Sequence, residues 1–377
     1  LGLVDNEVVT IGGLVGIIII AIVLISIFFF DVSLGQESIK IGVIVSETGP
    51  GSGIGIEERD GMIMAVDEIN SRGGINGRII ELIIVDNESN PEKAKKDFLE
   101  MEETHTPLMY ISSLSSISNA VAPLAEEREV VLMIFATARE ITVDKQWVYR
   151  YFPTADVELL AILQALDDLH VKNLGILYQN DEYGKDVSNA VATKFENTER
   201  IVLKEPFELL ELDVIDFKEN IAELQNVDAI YVVAFPDYIE IIFKQLRESN
   251  YSGEILAPLD AAVFKIINMP ETNGVYLTAP IIYDSNFLFA SKVTENFESR
   301  YNKQFDFNAA NGYDLIRILD GLLENEELTR DNVKWLLDQG FSYSGVFGSI
   351  DVLPGEHDIA FPLVPSKVVD GKLEFRR

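Results

Sequence analysis

The chain has 377 residues, enough for two domains, and its 47% hydrophobic composition supports full-sized cores. Against 30 lysines and arginines stand 62 aspartates and glutamates, a formal charge of −32, and a surface of that sign repels phosphate backbones, so nucleic acid is not a partner. The absence of cysteine removes disulfides, thiol catalysis, cysteine metal sites and a lipidated-cysteine anchor, while the three histidines, His105, His170 and His357, lie far apart without ligand spacing and read as surface residues.

From Val8 to Phe30 no side chain is charged. At about 1.5 Å rise per residue, a helix over this stretch is long enough to cross the ~30 Å hydrocarbon core of a bilayer. Residues 1–36 are therefore expected to form an apolar helix and its linker, with Val8, Ile11, Ile17, Ile20, Leu24 and Phe28 as membrane or assembly positions. A secretory signal would open on basic residues and carry a shorter apolar core of about 7–15 residues; here the first basic residue is Lys40. The segment resembles what is left when a pilin-type (class III) leader is removed, as in some archaeal binding proteins, and Asp5 sits where pilin-like subunits carry an acid. Three readings stay open: a membrane tether, a helix that packs with copies of itself in a filament, and an uncleaved signal. Gly12, Gly13 and Gly16 would allow close helix approach.

Beyond Gln36 the pattern alternates. Ser38–Val45 is an apolar, β-branched run closed by Thr48-Gly49-Pro50-Gly51 and reads as a buried strand. Gly53–Asn70 carries apolar residues at helical spacing, and Gly73-Gly74 ends it. Ile79–Val85 is the next strand, followed by a helix whose first turn takes Pro91. Strand, helix and strand follow at Leu108–Ser112, Ala120–Arg128 and Val130–Phe135. After Pro153 the rhythm restarts: helix Ala155–Leu169, strand Asn173–Tyr178, helix Gly184–Asn197, strand Ile201–Phe207, helix Val214–Leu224, strand Ala229–Ala234 and helix Tyr238–Ser249. Glu254–Leu259 and Gly274–Thr278 supply further strands, and Phe287–Lys303, Ala309–Leu323 and Asp331–Gln339 further helices. From Gly345 to Phe375 the chain is strand-rich, with proline and glycine turns. Two such series predict an α/β chain of two lobes, each a parallel-rich sheet with helices on both faces.

The order of motifs resembles the type I solute-binding proteins of branched-chain amino-acid ABC transporters, the Leu/Ile/Val-binding family. IKIGVIVSETGP resembles that family's first strand and loop, and DGMIMAVDEINSRGGINGRIIELIIVDNESNPEKA its helix, glycine turn and second strand. SSISNAVAPLAEE, FATARE, VYRYFPT, ILYQNDEYGKDV, FKQLRE, GVYLTAP and NGYDL then follow in family order. Each piece is weak alone; the ordered set is specific. The resemblance implies two Rossmann-like lobes joined by three hinge crossings, near Pro153, Ala279–Tyr283 and Gly340–Gly345. Residues 38–153 with 284–340 would form lobe one, and 154–283 with 341–377 lobe two, with solute bound between them.

Carried over residue by residue, the resemblance places Ser115 at the serine that meets a ligand carboxylate, with Ser116 beside it. Hydroxyl residues at a strand-to-helix loop also expose a helix N-terminus, which suits an anion, although Ser116 or Ser118 could simply cap that helix. Thr137 matches the threonine of the family's Ser-Ala-Thr loop, where Phe135 replaces the serine and Ala138-Arg139 the usual proline. Tyr183 matches a cleft tyrosine of lobe two, Phe235 an aromatic lip, and Asp260 the acid that meets the ligand's ammonium, though each also reads as an ordinary core or loop residue. Glu47 and Thr48 are weaker lip candidates. The expected activity is that of a non-enzymatic extracellular or cell-surface receptor, needing no cofactor and no metal. It would pass a small amino-acid or amide-like solute to an ABC permease. The other class is structural, a filament or surface-lattice subunit built through residues 1–30.

Overall fold

The computed structural model describes residues 37–375 apart from 196, 197, 199 and 284–286. The apolar helix expected from Val8, Ile11, Ile17, Ile20, Leu24 and Phe28, and its roles in a membrane or a polymer, lie outside the described residues. Among the described residues no helix is long and apolar enough to cross a membrane.

The chain is α/β, built on two sheets. β1 (Ile39–Val45) is fully apolar except for Lys40 and lies inside the first sheet, as a strand covered on both faces must. β2 (Ile80–Asp86) flanks it on one side; β3 (Met109–Ser113), β4 (Leu132–Phe135) and β5 (Val148–Tyr151) follow on the other, all parallel. The crossover helices are α1 (Ser52–Ser71), α2 (Pro91–Thr104) and α3 (Ser115–Glu127). Asn90 caps α2, its side chain accepting from the backbone N–H of Glu92 and Lys93, with Pro91 in the first turn where no amide is needed.

After β5 the chain crosses into the second sheet through α4 (Ala155–Asp168). There β6 (Asn173–Gln179), β7 (Ile201–Phe207), β8 (Ala229–Val233), β9 (Glu254–Ala257) and β10 (Tyr276–Ala279) run parallel in the order β10-β9-β8-β6-β7. They are connected by α5 (Glu182–Phe195), α6 (Lys218–Glu223), α7 (Pro236–Glu248) and the short α8 (Phe264–Ile267). The return crossing passes the single 3-10 turn Ile281–Tyr283 to α9 (Leu288–Tyr301), α10 (Phe307–Leu323) and α11 (Arg330–Asp338). These helices rejoin the first lobe: Tyr301 Oη donates to the Asp60 carbonyl at 3.0 Å, and Tyr313 Oη to Glu68 at 2.8 Å.

The third crossing departs from the expected place. The hairpin β11 (Phe341–Gly345) and β12 (Gly348–Val352) stays with the first lobe, held by buried Asp314 of α10, which accepts from Tyr343 Oη at 2.7 Å and from the backbone N–H of Val346 at 3.1 Å. β13 (Asp358–Ile359) then adds a sixth, parallel strand beside β5. Only after Ile359 does the chain reach the second sheet, where β14 (Val364–Val369) and β15 (Lys372–Phe375) lie antiparallel. The passage therefore falls at residues 360–363, not near Gly340–Gly345. A two-residue strand carries no periodicity from which it could be read.

Candidate functional site

In both sheets the residues just past the strand carboxyl ends face the gap between the lobes, the usual ligand position in open parallel sheets. Ser115 follows β3, Thr137 follows β4, Tyr183 follows β6, Phe235 follows β8 and Asp260 follows β9. These five line one cavity, together with Ile54, Glu58, Leu114, Phe135, Ala136, Phe152 and Asn308. Its first-lobe wall carries the Ser115 and Thr137 hydroxyls, the Glu58 carboxyl and Asn308 among apolar side chains; its second-lobe wall is an acid flanked by aromatic rings.

On the first lobe, Ser115 is the first residue of α3 rather than part of a preceding loop. No side chain caps that helix, so its N-terminal dipole and amides are left toward the cavity. Ser118 is turned away and shares a 2.8 Å hydrogen bond with Ser112. Leu114, just before the helix, has φ 67° and ψ 141°, a backbone region that side-chain-bearing residues rarely adopt. Its amide is held by the Phe135 carbonyl at 3.0 Å. Ser115 Oγ accepts from the Ala138 amide at 3.2 Å, joining the α3 start to the loop that carries Thr137. Buried Arg150 organises that loop from below, donating to the carbonyls of Ala136 and, at 2.8 Å, Ala138, and pairing with Asp358 of β13 at 2.9 Å.

On the second lobe, Tyr183 Oη donates to Asp260 Oδ2 at 2.5 Å, and the Tyr183 and Phe235 rings stack in parallel with centroids 6.3 Å apart. Gln179 at the end of β6 ties two of these loops, accepting from the Phe235 amide at 2.8 Å and donating to Asp181 at 2.7 Å. Burial pushes the Asp260 carboxyl up to about 6 despite the Tyr183 hydrogen bond. Behind it, burial pushes Glu158 up to about 8; Thr278 Oγ1 and the Leu259 amide donate to it at 2.7 and 3.2 Å, and the Asp260 charge adds to the shift. Tyr231 Oη is buried nearby without a partner.

Thr48 and Ser116 do not line the cavity. Thr48 is exposed and donates to Asp86 at 2.7 Å, Glu47 pairs with Arg59 at 2.6 Å, and Ser116 is half-buried on α3. His105 and His170 are exposed, whereas His357 is half-buried and stacks on Tyr149 at 4.2 Å. Among the described residues no group of acids and histidines is arranged to hold a metal ion.

Sequence reasoning missed Glu58, Ile54, Leu114, Phe152 and Asn308. Glu58 had a readable signal, because it interrupts the apolar stripe Ile54–Met62–Ala65–Ile69 of α1 at helical spacing. It was lost among the neighbouring charges Glu57, Arg59 and Asp60. Phe152 sits in the first crossing and packs edge-on against Phe361 of the third at 5.9 Å, which only the folded chain brings together.

Comparison with known proteins agrees with this architecture. The chain is similar to the Leu/Ile/Val-binding protein of Escherichia coli strain K12, 26% identical over 269 residues that span 69% of this chain and 72% of that protein. The structure superposes on the Streptococcus pneumoniae branched-chain amino acid transporter substrate binding protein LivJ, solved in complex with isoleucine, with a TM-score of 0.79 and 20% identity over 89% of this chain and 98% of that one. It also superposes on a solute binding protein of an ABC transporter from Rhodopseudomonas palustris BisB5, solved with 3,4-dihydroxy benzoic acid, with a TM-score of 0.78 and 19% identity over 89% of this chain and 95% of that one. The family model described as "Periplasmic binding protein" matches residues 38–372. The relatives are binding proteins of transporters and not enzymes, and with the match running through both sheets this chain belongs to the periplasmic binding protein family.

Proposed function

We propose that the protein is an extracellular receptor that closes its two lobes over an amino-acid-like zwitterion and delivers it to an ABC transporter permease. The observation that carries this reading is the cavity itself. Hydroxyls and an uncapped helix start on one wall suit a carboxylate; Asp260, braced by Tyr183, suits an ammonium on the other. A ligand that touches both walls favours the closed arrangement by its extra contacts there. The resemblance to transporter binding proteins supports the permease as partner, and the apolar Val8–Phe30 segment supports attachment at a membrane surface.

The test is a thermal-shift panel on the purified full chain in mild detergent, covering the common amino acids, amides, urea and short peptides. At least one zwitterionic member is expected to raise the melting point by several degrees. In Ser115→Ala/Tyr183→Phe, which keeps the ring stack, that rise should vanish while the ligand-free melting point stays within a few degrees. Equal stabilisation of this variant and the parent protein would refute the site.

A further inference from the structure

Resting on that reading, we propose that Glu58 is a second carboxylate anchor for the solute. The preferred ligand is then an amino acid whose side chain ends in N–H donors (amide, amine or guanidine) rather than a plain aliphatic one. Glu58 is 1% exposed and lines the cavity, and its Oε2 has no hydrogen-bond partner. A buried carboxyl in that state is costly, so the fold alone gives no reason to keep it there.

Its surroundings are equally unsatisfied. Both amide atoms of Asn311 are buried without partners, and Asn311 lies three residues beyond the cavity-lining Asn308 on the same face of α10. No lysine, arginine or histidine lines the cavity, so no cation of the protein faces Glu58, and Asp260 is met only by the neutral Tyr183 hydroxyl. Burial pushes the Glu58 carboxyl well above its usual range against a Ser113 hydrogen bond that lowers it, and the charges of Asp306 and Asp260 add to the rise. Ser115 and Thr137 would hold the ligand carboxylate and Asp260 the α-ammonium, leaving Glu58 with Asn308 for the far end. An aliphatic side chain reaching Glu58 would seal the carboxyl against hydrocarbon. A side chain with N–H donors would satisfy it.

Titration calorimetry on the full chain and two variants tests this, using leucine, isoleucine, asparagine, glutamine, ornithine, lysine and arginine as probes. The parent protein should bind at least one nitrogen-bearing member about 100-fold more tightly than leucine. Glu58→Gln, which is nearly isosteric, should weaken that member by tenfold or more and raise or leave unchanged the ligand-free melting point. Glu58→Leu should bring leucine level with it or ahead. If the parent protein binds leucine or isoleucine as tightly as any member, or if both variants keep the parent ranking, the Glu58 assignment is wrong while the receptor reading stands. If no member binds at all, the Glu58 assignment is wrong, and the receptor reading falls too only if the wider thermal-shift panel is also silent.

Discussion

Arg150 has no exposed surface, yet its guanidinium holds the loop that brings Thr137 to the cavity. Burial lowers its pKa, and the partly exposed Asp358 beside it counters that shift. Arg150→Met should destabilise the protein by about 1–3 kcal/mol, because the Ala136 and Ala138 carbonyls lose their donor. Arg150→Lys should recover little of this, since an ammonium cannot span two carbonyls and a carboxylate as a planar fork does. Urea denaturation of the three proteins measures it; equal midpoints would show that the loop holds itself. The buried acids predict a pH effect of definite sign. Burial holds Glu158 at about 8, Asp306 at about 7 and Asp260 at about 6, against roughly 4 for carboxyls in an unfolded chain. Between pH ~4 and ~8 the folded state therefore carries more protons than the unfolded one, and stability from these groups falls as pH rises. Asp86 and Glu102, lowered by their hydrogen bonds against the opposing effect of burial, act the other way but only at the acid end. The ligand-free melting point should fall from pH 5 to pH 8, and Glu158→Gln should flatten the upper part of that fall. A melting point that climbs across the range would contradict these assignments.

Helices α1 and α10 are pressed together at two glycines that face each other's backbone. A Cβ on Gly61 would lie 1.9 Å from the Ala309 carbonyl oxygen, and one on Gly312 would lie 2.1 Å from that of Glu58. Glycine in a helix ordinarily costs about 0.5–1 kcal/mol relative to alanine, so intrinsic propensity alone predicts that Gly312→Ala stabilises. The contact reverses the sign: Gly312→Ala should destabilise by about 1–3 kcal/mol or more and shift Glu58 in the cavity wall. A calorimetric scan reads the first, and weakened binding of the cognate solute the second. Most of this architecture was legible, because alternating apolar runs and helical stripes fix element type wherever a segment is long. Ile201–Phe207 forms the strand expected of it, and Ala155–Asp168 ends one residue short of its expected helix. Where local pattern is silent, reading stopped. Ser116 and Ser118 marked a helix start ahead of Ala120, but neither caps α3; it begins at Ser115, a start set by the strained Leu114 and its bond to Phe135. The site was half legible. Ser115, Thr137, Tyr183, Phe235 and Asp260 meet because each follows a strand, whereas Phe152 and Asn308 join them only through hinge and helix packing.

The two lobes are also joined beside the cavity by a contact that needs no ligand. Arg139, of the Ala138-Arg139 pair that stands in place of the proline usual in the resembling family, donates from Nη2 to Asp186 of α5 at 2.9 Å and from its backbone amide at 3.1 Å, and reaches Asp156 at 3.4 Å. Asp186 is buried, so the pair is shielded from solvent more than an ordinary surface ion pair. In the proposed closing motion this pair would favour the closed arrangement without solute and so set how much of the closing a solute must drive. Arg139→Ala should raise the apparent Kd on the order of tenfold without removing any cavity-lining group, and enlarge the radius of gyration of the ligand-free protein in small-angle scattering. If neither quantity moves, the bridge is incidental.

The late third crossing has a consequence of its own. Residues 358–375 supply the outermost strand of one sheet and the last two of the other, so this short tail belongs to both halves at once. A break at the exposed turn around Pro354 and Gly355 would spare every cavity-lining residue, yet loosen a seam in each half. The halves are thus poor candidates for separate expression. Each depends on a thread that the other anchors, and heat should take them apart together.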